Sequence, residues 1–227
     1  MPGMARTLAP KSDEKTRDAT RSREAILAAA ERLFSERGFD AASLADVALA
    51  AGLSRGAPNY FFGSKEQLYI AVLERVFHER EQATREAFRP LVAWTEDGAG
   101  SLEKALGQAA GAYMEFLLRR PSFLRLIQRE ELAGARRLRE APRDSRAIED
   151  AFRALRKVAP ERGLRAFDVA DAVLLFVSLT FSPLAQRSTF MASLGRDFED
   201  AKVRHRHVRL VTGQLLHLVV VGATRPA

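Results

Sequence analysis

The apolar positions near the start of the chain repeat with a helical period. From about Thr20 onward, apolar side chains stand at i, i+3, i+4, i+7 and i+8, a full match to one buried helical face. These residues are Ile26, Ala29, Ala30, Leu33 and Phe34. Gly38 follows the last turn, as is typical of a helix C-terminus. The stretch 1–19 is polar and lacks this periodicity, so it is expected to be a disordered arm.

Two short helices are predicted next, separated by a very tight turn. Ser43 suits the N-cap of a helix over 44–51, Gly52 ends it, and Ser54 suits the cap of the next helix almost immediately. Helices joined so closely must cross steeply, which is typical of a helix-turn-helix. A tight αα-hairpin inside a bundle would show the same spacing, so both interpretations remain open.

The second short helix, predicted over 55–62, combines small residues with residue types that read DNA. Small side chains let a backbone approach a groove. Arg and Asn bond the edges of guanine and adenine, and a Tyr hydroxyl can bond a phosphate. The candidates are Arg55, Gly56, Ala57, Asn59 and Tyr60. The structural alternatives are that Asn59 is only an exposed polar residue and that Tyr60 packs between helices.

A long fourth helix is predicted to begin with a capping box, Ser64 with Gln67. Its first N–H groups, together with Lys65, would form a site for a phosphate. Such sites bind anions through geometry, which matters because residues 1–90 hold 14 Lys or Arg against 13 Asp or Glu. The net charge of +7 therefore arises mainly in the rest of the chain and is weak evidence for DNA binding.

Composition excludes several other classes of protein. The chain has no Cys, which rules out disulfides and fits a reducing compartment. Its N-terminus lacks an apolar signal region, and its longest apolar run, 169–184, is interrupted by polar residues and predicts a buried helix rather than a membrane span. We therefore expect a cytoplasmic protein without a membrane partner.

The stretch ILAAAERLFSERGFDAASLADVALAAGLSRGAPNYFFGSKEQLYIAVL resembles the N-terminal domain of TetR/AcrR-family transcriptional regulators. The resemblance implies an all-α fold, with a helix-turn-helix domain over 20–64 and a ligand-binding and dimerisation domain over 65–227. It implies backbone contacts at Ser43, Tyr60 and Lys65, with Ser54 at the start of the recognition helix. It also implies base-facing positions at Arg55, Gly56, Ala57 and Asn59. Pro58-Asn59 replaces the family's usual Leu-Tyr, which leaves the architecture intact but removes a Tyr that is a common DNA contact, so the family's base preference is not carried over.

Helices are also predicted across the rest of the chain, at about 102–119, 122–139, 145–158, 168–190 and 199–222, with a loop over 94–101. The fourth helix is expected to stop near Pro90. The resemblance implies an effector pocket among the middle helices, for which the aromatic candidates are Trp94, Tyr113, Phe116, Phe123, Phe176 and Phe181. Ordinary core packing is the alternative for each of them. A run of Arg from 119 to 139 could select an anionic ligand, but it is interpreted as a solvated, salt-bridged surface because Glu residues are interspersed.

The last predicted helix is apolar on nearly every side between residues 210 and 221. A helix of this kind must bury more than one face, and in the resembling family the last two helices pair across a dimer. The predicted dimer contacts are Val211, Leu215 and Leu218. Complete burial within one chain is the alternative.

These patterns together predict a homodimeric regulator of transcription that binds a palindromic operator in double-stranded DNA, most simply a repressor released by a small-molecule effector. No nucleophile motif, phosphate loop, carboxylate pair or metal-ligand spacing is present, so neither an enzyme nor a cofactor is expected. The alternative function is a helical carrier or protein adaptor whose DNA domain no longer reads sequence.

Overall fold

The computed structural model describes residues 11–140 and 146–220, and every regular element in these two ranges is a helix. Within them, the only extended pairing is an isolated antiparallel bridge between Leu164 and Val220. The all-α prediction is therefore confirmed. The described residues divide into two compact units, one formed by 11–74 with 129–140 and the other by 75–128 with 146–220.

The helices follow one another with short connections. They are α1 Lys11–Arg37, α2 Leu44–Ala51, α3 Ala57–Phe62, α4 Lys65–Asp97, α5 Leu102–Arg119, α6 Pro121–Leu132, α7 Arg136–Glu140, α8 Ala147–Val158, α9 Val169–Ala185 and α10 Ala201–Val219, with a π-helical turn, Arg187–Met191, after α9.

Two helices are longer than their predicted spans. The first helix begins at Lys11, so residues 11–19, predicted to be part of a disordered arm, are helical. Residues 1–10 of that predicted arm lie outside the described residues. The fourth continues through Pro90 to Asp97. Although Pro90 removes one N–H from the helix, Leu91 and Thr95 extend the buried face beyond it, and this packing outweighs the missing hydrogen bond.

The helix predicted over 122–139 is broken in two. Gly134 and Ala135 both have positive φ, 74° and 54°, and the Ala135 N–H donates to the Glu130 carbonyl at 2.6 Å. This is the left-handed type of helix stop that glycine favours. The chain then restarts as the short helix α7.

The first unit is built on the predicted apolar face of α1. Every residue of that face is buried, as are Val47 and Ala48 of α2 and Phe62 of α3. The first turns of α4 add Leu68 and Tyr69, and α7 adds Leu138. The predicted helix-turn-helix is thus held on a continuous core.

In the second unit, two glycines of α5 allow α10 to approach closely. A Cβ placed on Gly107 would lie 3.4 Å from Thr212, and one on Gly111 would lie 3.9 Å from Val208. The side of α10 that faces inward is consequently deeply buried. Val211 and Leu215, two of the predicted dimer contacts, are 0% exposed within the single chain, while Leu218 is half-buried.

The outward side of α10 is different from the side that was predicted to pair. It carries Arg206, Leu210, Gly213 and His217, all exposed. Burial within one chain, the alternative to a dimer contact, therefore accounts for Val211 and Leu215.

Candidate nucleic-acid interface

Local hydrogen bonds define the start of α2. Ser43 and Asp46 form a complete capping box, in which the Asp46 N–H donates to Ser43 Oγ at 3.1 Å and the Ser43 N–H donates to Asp46 Oδ2 at 3.1 Å. Hydrogen bonds from the Ser43 side chain and backbone lower the pKa of the Asp46 carboxyl below 3.8. In this arrangement Ser43 acts as a cap, the structural alternative to its predicted phosphate contact.

The turn between α2 and α3 depends on Gly52. Its φ of 69° is left-handed, and its N–H donates to the carbonyls of Ala48 and Leu49. The Leu53 N–H also donates to the Ala48 carbonyl, at 3.0 Å. These bonds close α2 within two residues and direct the chain into the next helix.

Helix α3, the predicted recognition helix, starts at Ala57, two residues later than predicted. Gly56 is its N-cap, and no side chain caps the helix. The Ala57 N–H donates to the backbone carbonyl of Ser54 at 2.9 Å. Pro58 lies in the first turn, where its missing N–H has no partner to lose. Ser54, Arg55 and Gly56 are therefore in the turn that leads into α3.

The predicted DNA-reading side chains are exposed. Arg55, Asn59 and Tyr60 are all exposed, with Tyr60 at 85%. Such exposure excludes packing between helices as the role of Tyr60 within the single chain. Leu49 of α2 is also 82% exposed, although the apolar periodicity did not predict a large apolar side chain at the surface.

Lys65 lies at the start of α4, where the Gln67 N–H donates to Ser64 Oγ at 3.1 Å, one half of the predicted capping box. Its Nζ donates to the Asp40 carbonyl at 3.2 Å and lies 4.5 Å from the centroid of the Phe39 ring. Lys65 is thus half-buried on the loop after α1, with its ammonium held at the surface of the first unit.

A segment distant in sequence completes this unit. Arg129, at the end of α6, donates from Nε to the Ser35 carbonyl at 3.1 Å and from Nη2 to the Glu36 carbonyl at 2.6 Å. These carbonyls belong to the last turn of α1, where a cation is favourable. The interpretation of the Arg run as solvated surface is therefore wrong for Arg129.

The same segment also contacts the aromatic residues of the first unit. The Arg137 guanidinium lies 3.7 Å from the Phe39 ring centroid. Glu130 is buried and accepts a hydrogen bond from the Leu138 N–H at 3.2 Å. Burial and the Glu130 carboxylate raise the pKa of Tyr69 well above its ordinary value. The run of charges gave no sign of these contacts, because they depend on which residues meet in space.

Four of the six predicted ligand-lining aromatics form one connected cluster in the second unit. Ring centroids are 5.3 Å apart for Tyr113 and Phe176, 6.4 Å for Tyr113 and Phe116, and 6.0 Å for Phe116 and Phe123. The other two lie apart from it: Trp94 stacks under Arg162 at 5.4 Å, and Phe181 is half-buried on α9.

Over the described ranges, no group of three or more His, Asp or Glu side chains is arranged to hold a metal ion. None of the helices in those ranges is both long and apolar enough to cross a membrane.

Comparison with protein families gives two matches along the chain. Residues 26–72 match the family described as bacterial regulatory proteins, tetR family. Residues 103–213 match the family described as tetracyclin repressor-like, C-terminal domain. The first match spans α1 to the beginning of α4 and includes every candidate DNA contact.

Individual relatives agree with these matches. The HTH-type transcriptional repressor NicS of Pseudomonas putida is 26% identical over 199 residues, covering 86% of this chain and 90% of NicS. The HTH-type transcriptional regulator RutR of Escherichia coli is 40% identical over 86 residues, 37% of this chain and 41% of RutR. A solved structure from Mesorhizobium loti, assigned to the TetR family, matches with a TM-score of 0.66 at 19% identity. The match covers 89% of this chain and 98% of that structure's chain, and it supports the fold.

Proposed function

The chain belongs to the TetR family of DNA-binding transcriptional regulators, which are not enzymes, and on that premise we propose that it is a homodimeric repressor released from its operator by a small molecule. The proposal places the protein in the cytoplasm, with double-stranded DNA as its partner. Repression is supported by the name of NicS, a relative that aligns over most of the chain.

The observation that carries the proposal is the exposed surface of the α2–α3 motif. Arg55, Asn59 and Tyr60 extend into solvent from a turn and helix in which Pro58 and Phe62 are buried. A recognition helix needs this division, because one side must be rigidly supported while the other enters the major groove. Arg55 and Asn59 are proposed to bond base edges, and Tyr60 and Lys65 to bond phosphates.

Dimerisation is proposed through the outward sides of α9 and α10. These two helices contact each other within the second unit, so their outward sides are neighbours. Leu174 of α9 is 65% exposed and Leu210 of α10 is 49% exposed. Large apolar side chains exposed on adjacent helices are typical of an interface. A twofold dimer would present two α3 helices to half-sites about one helical turn apart, roughly 34–36 Å.

Effector release is proposed because the second unit encloses the connected aromatic cluster described above. An effector that binds there must favour one arrangement of the dimer over the other, since only a difference in affinity shifts the equilibrium. The spacing of the two α3 helices is the quantity that would change.

Binding of the purified protein to the DNA upstream of its own gene, measured by fluorescence anisotropy across a salt series, tests the proposal. Lys65→Ala is expected to weaken specific and non-specific binding alike and to reduce the salt slope by about one unit. Asn59→Ala is expected to leave that slope nearly unchanged, to cost about 1–3 kcal/mol on the cognate site, and to relax preference at one base pair per half-site.

The two variants serve as controls for each other, because one removes a charge and the other removes only a base contact. Wild-type protein that binds all DNA with the same affinity would rule out an operator-binding regulator. If Asn59→Ala still discriminates fully between the operator and other DNA, Asn59 does not read a base, and Arg55 or Tyr60 becomes the candidate for that role.

A further inference from the structure

A buried carboxylate on α4 lacks the hydrogen bonds that its position requires. Glu81 is 6% exposed, and neither of its carboxylate oxygens accepts a hydrogen bond from the residues that the structure describes. Arg85 Nη2 lies 2.8 Å from Glu81 Oε1, within ion-pair distance, but this contact does not have the geometry of a hydrogen bond. Arg85 is itself more than half exposed, so water weakens the attraction.

Such a group is costly to the folded protein. A buried polar atom without a partner destabilises the native state, and an ionised one does so more. Native proteins contain few of them, and each calls for an explanation such as a bound ligand. Glu81 Oε2, the oxygen other than the one beside Arg85, therefore offers an acceptor to a donor from outside the chain.

Aromatic rings lie on either side of Glu81 along α4. Phe77 and Phe88 are four residues before it and seven after it, so all three share one face of the helix. Phe77 contacts Phe123 at 5.7 Å, and Phe88 contacts Phe176 at 4.9 Å. Both contacts lead into the aromatic cluster, so rings border the part of α4 that carries Glu81.

The chemistry beside Glu81 is also polar. Arg80 Nε is buried without a hydrogen-bond partner. Burial raises the pKa of Tyr113, and the nearby Arg80 guanidinium opposes that rise. The aromatic cluster reaches the surface at Phe116, which lines a groove of about 640 Å³ between α4 and α5.

We propose that Glu81 is the anchor of an effector site in the second unit, and that the effector is a small aromatic molecule bearing a protonated amine. The ammonium would donate to the carboxylate, which has acceptors but no donors of its own. The ring would pack on the phenylalanines, and the cation would gain from their faces. This inference rests on the proposed function only in calling the molecule an effector.

The first test needs no ligand. Replacing Glu81 by Leu removes a poorly satisfied charge, so the melting temperature of the ligand-free protein should rise by about 2–4 °C. Glu96→Leu, the same change at an exposed position of the same helix, is the control and should leave the melting temperature unchanged. A fall in the Glu81→Leu variant would show that the carboxylate is a structural partner of Arg85, and would overturn the proposal.

The second test uses three probe amines, benzylamine, 2-phenylethylamine and tryptamine, with benzoate, 3-phenylpropionate and indole-3-acetate as matched acids. Calorimetry and thermal shift should show that the amines bind and stabilise the wild type. Glu81→Gln should weaken amine binding at least about tenfold, because it replaces a charge-assisted hydrogen bond. Glu96→Gln should bind the amines as the wild type does.

Three results would overturn the proposal: no stabilisation by any of the amines, equal amine binding by Glu81→Gln, or preference for the acids, which would assign the anchoring role to Arg80. Operator binding is measured separately on ligand-free protein. Operator binding without amine binding would refute this site and leave the proposed function standing. Amine binding without operator binding would refute the proposed function and leave the site standing.

Discussion

Arg129 is predicted to stabilise the DNA-binding unit from a distant part of the sequence, and Arg129→Met tests this directly. Methionine keeps most of the apolar stem but removes the guanidinium, and with it the hydrogen bonds to the Ser35 and Glu36 carbonyls. A hydrogen bond that involves a charged group contributes about 1.5–3 kcal/mol when protected from water. This applies to the bond to Ser35, which is partly buried.

The bond to Glu36 is exposed and contributes about 0.2–1 kcal/mol. The free energy of unfolding of the first unit should therefore fall by about 2–4 kcal/mol. For a unit of this size, such a loss lowers the melting temperature by on the order of 10 °C.

Calorimetry and hydrogen exchange measure the effect. Amides at the end of α1 should exchange faster in Arg129→Met, while those of α5 in the second unit should keep their protection. Arg125→Met is the matched control, because Arg125 lies one turn earlier on α6 and is exposed. If the two variants have equal stability, the carbonyl contacts of Arg129 contribute nothing and the assignment is refuted.

Three further predictions concern single positions. Ser43→Ala should raise the pKa of Asp46 toward 3.8, as measured by NMR titration. In the wild type this carboxylate contributes stability above pH 3.8 and loses it as the pH falls through its lowered pKa, so the variant should show a smaller contribution. An unchanged pKa would contradict the cap. Gly52→Ala should cost about 1 kcal/mol by thermal melting, because the added Cβ meets no neighbour within 4 Å and only the left-handed backbone is strained. Leu210→Arg should give folded monomers by light scattering. Leu215→Arg should instead unfold the second unit, because that side chain is completely buried. A dimeric Leu210→Arg protein would exclude the outward side of α10 as the interface.

Much of the first unit was predictable from the sequence because its signals are local. The buried face of α1 repeats every three to four residues, and Ser43 and Gly52 bound α2 through hydrogen bonds to their near neighbours. The exposed positions of Arg55, Asn59 and Tyr60 follow from the same short motif. Periodicity and capping involve residues within one or two turns, so they can be recognised without a tertiary structure.

The remaining features depend on contacts that cross long stretches of chain. The apolar pattern of α10 could not show which side packs on α5, because Val211, Leu215 and Leu210 are equally hydrophobic. Only the approach permitted by Gly107 and Gly111 decided that the first two face inward.

The same holds for charged residues. Arg129 and Arg125 look alike in the sequence, yet one bonds the end of α1 and the other lies in solvent. Glu81 lies among other glutamates of α4, and only its burial distinguishes it from them. The sequence alone determined the all-α architecture and the helix-turn-helix motif, since these are set by neighbouring residues. Tertiary structure decided which apolar faces stay exposed and which charges lose water, because burial is a property of the assembled chain.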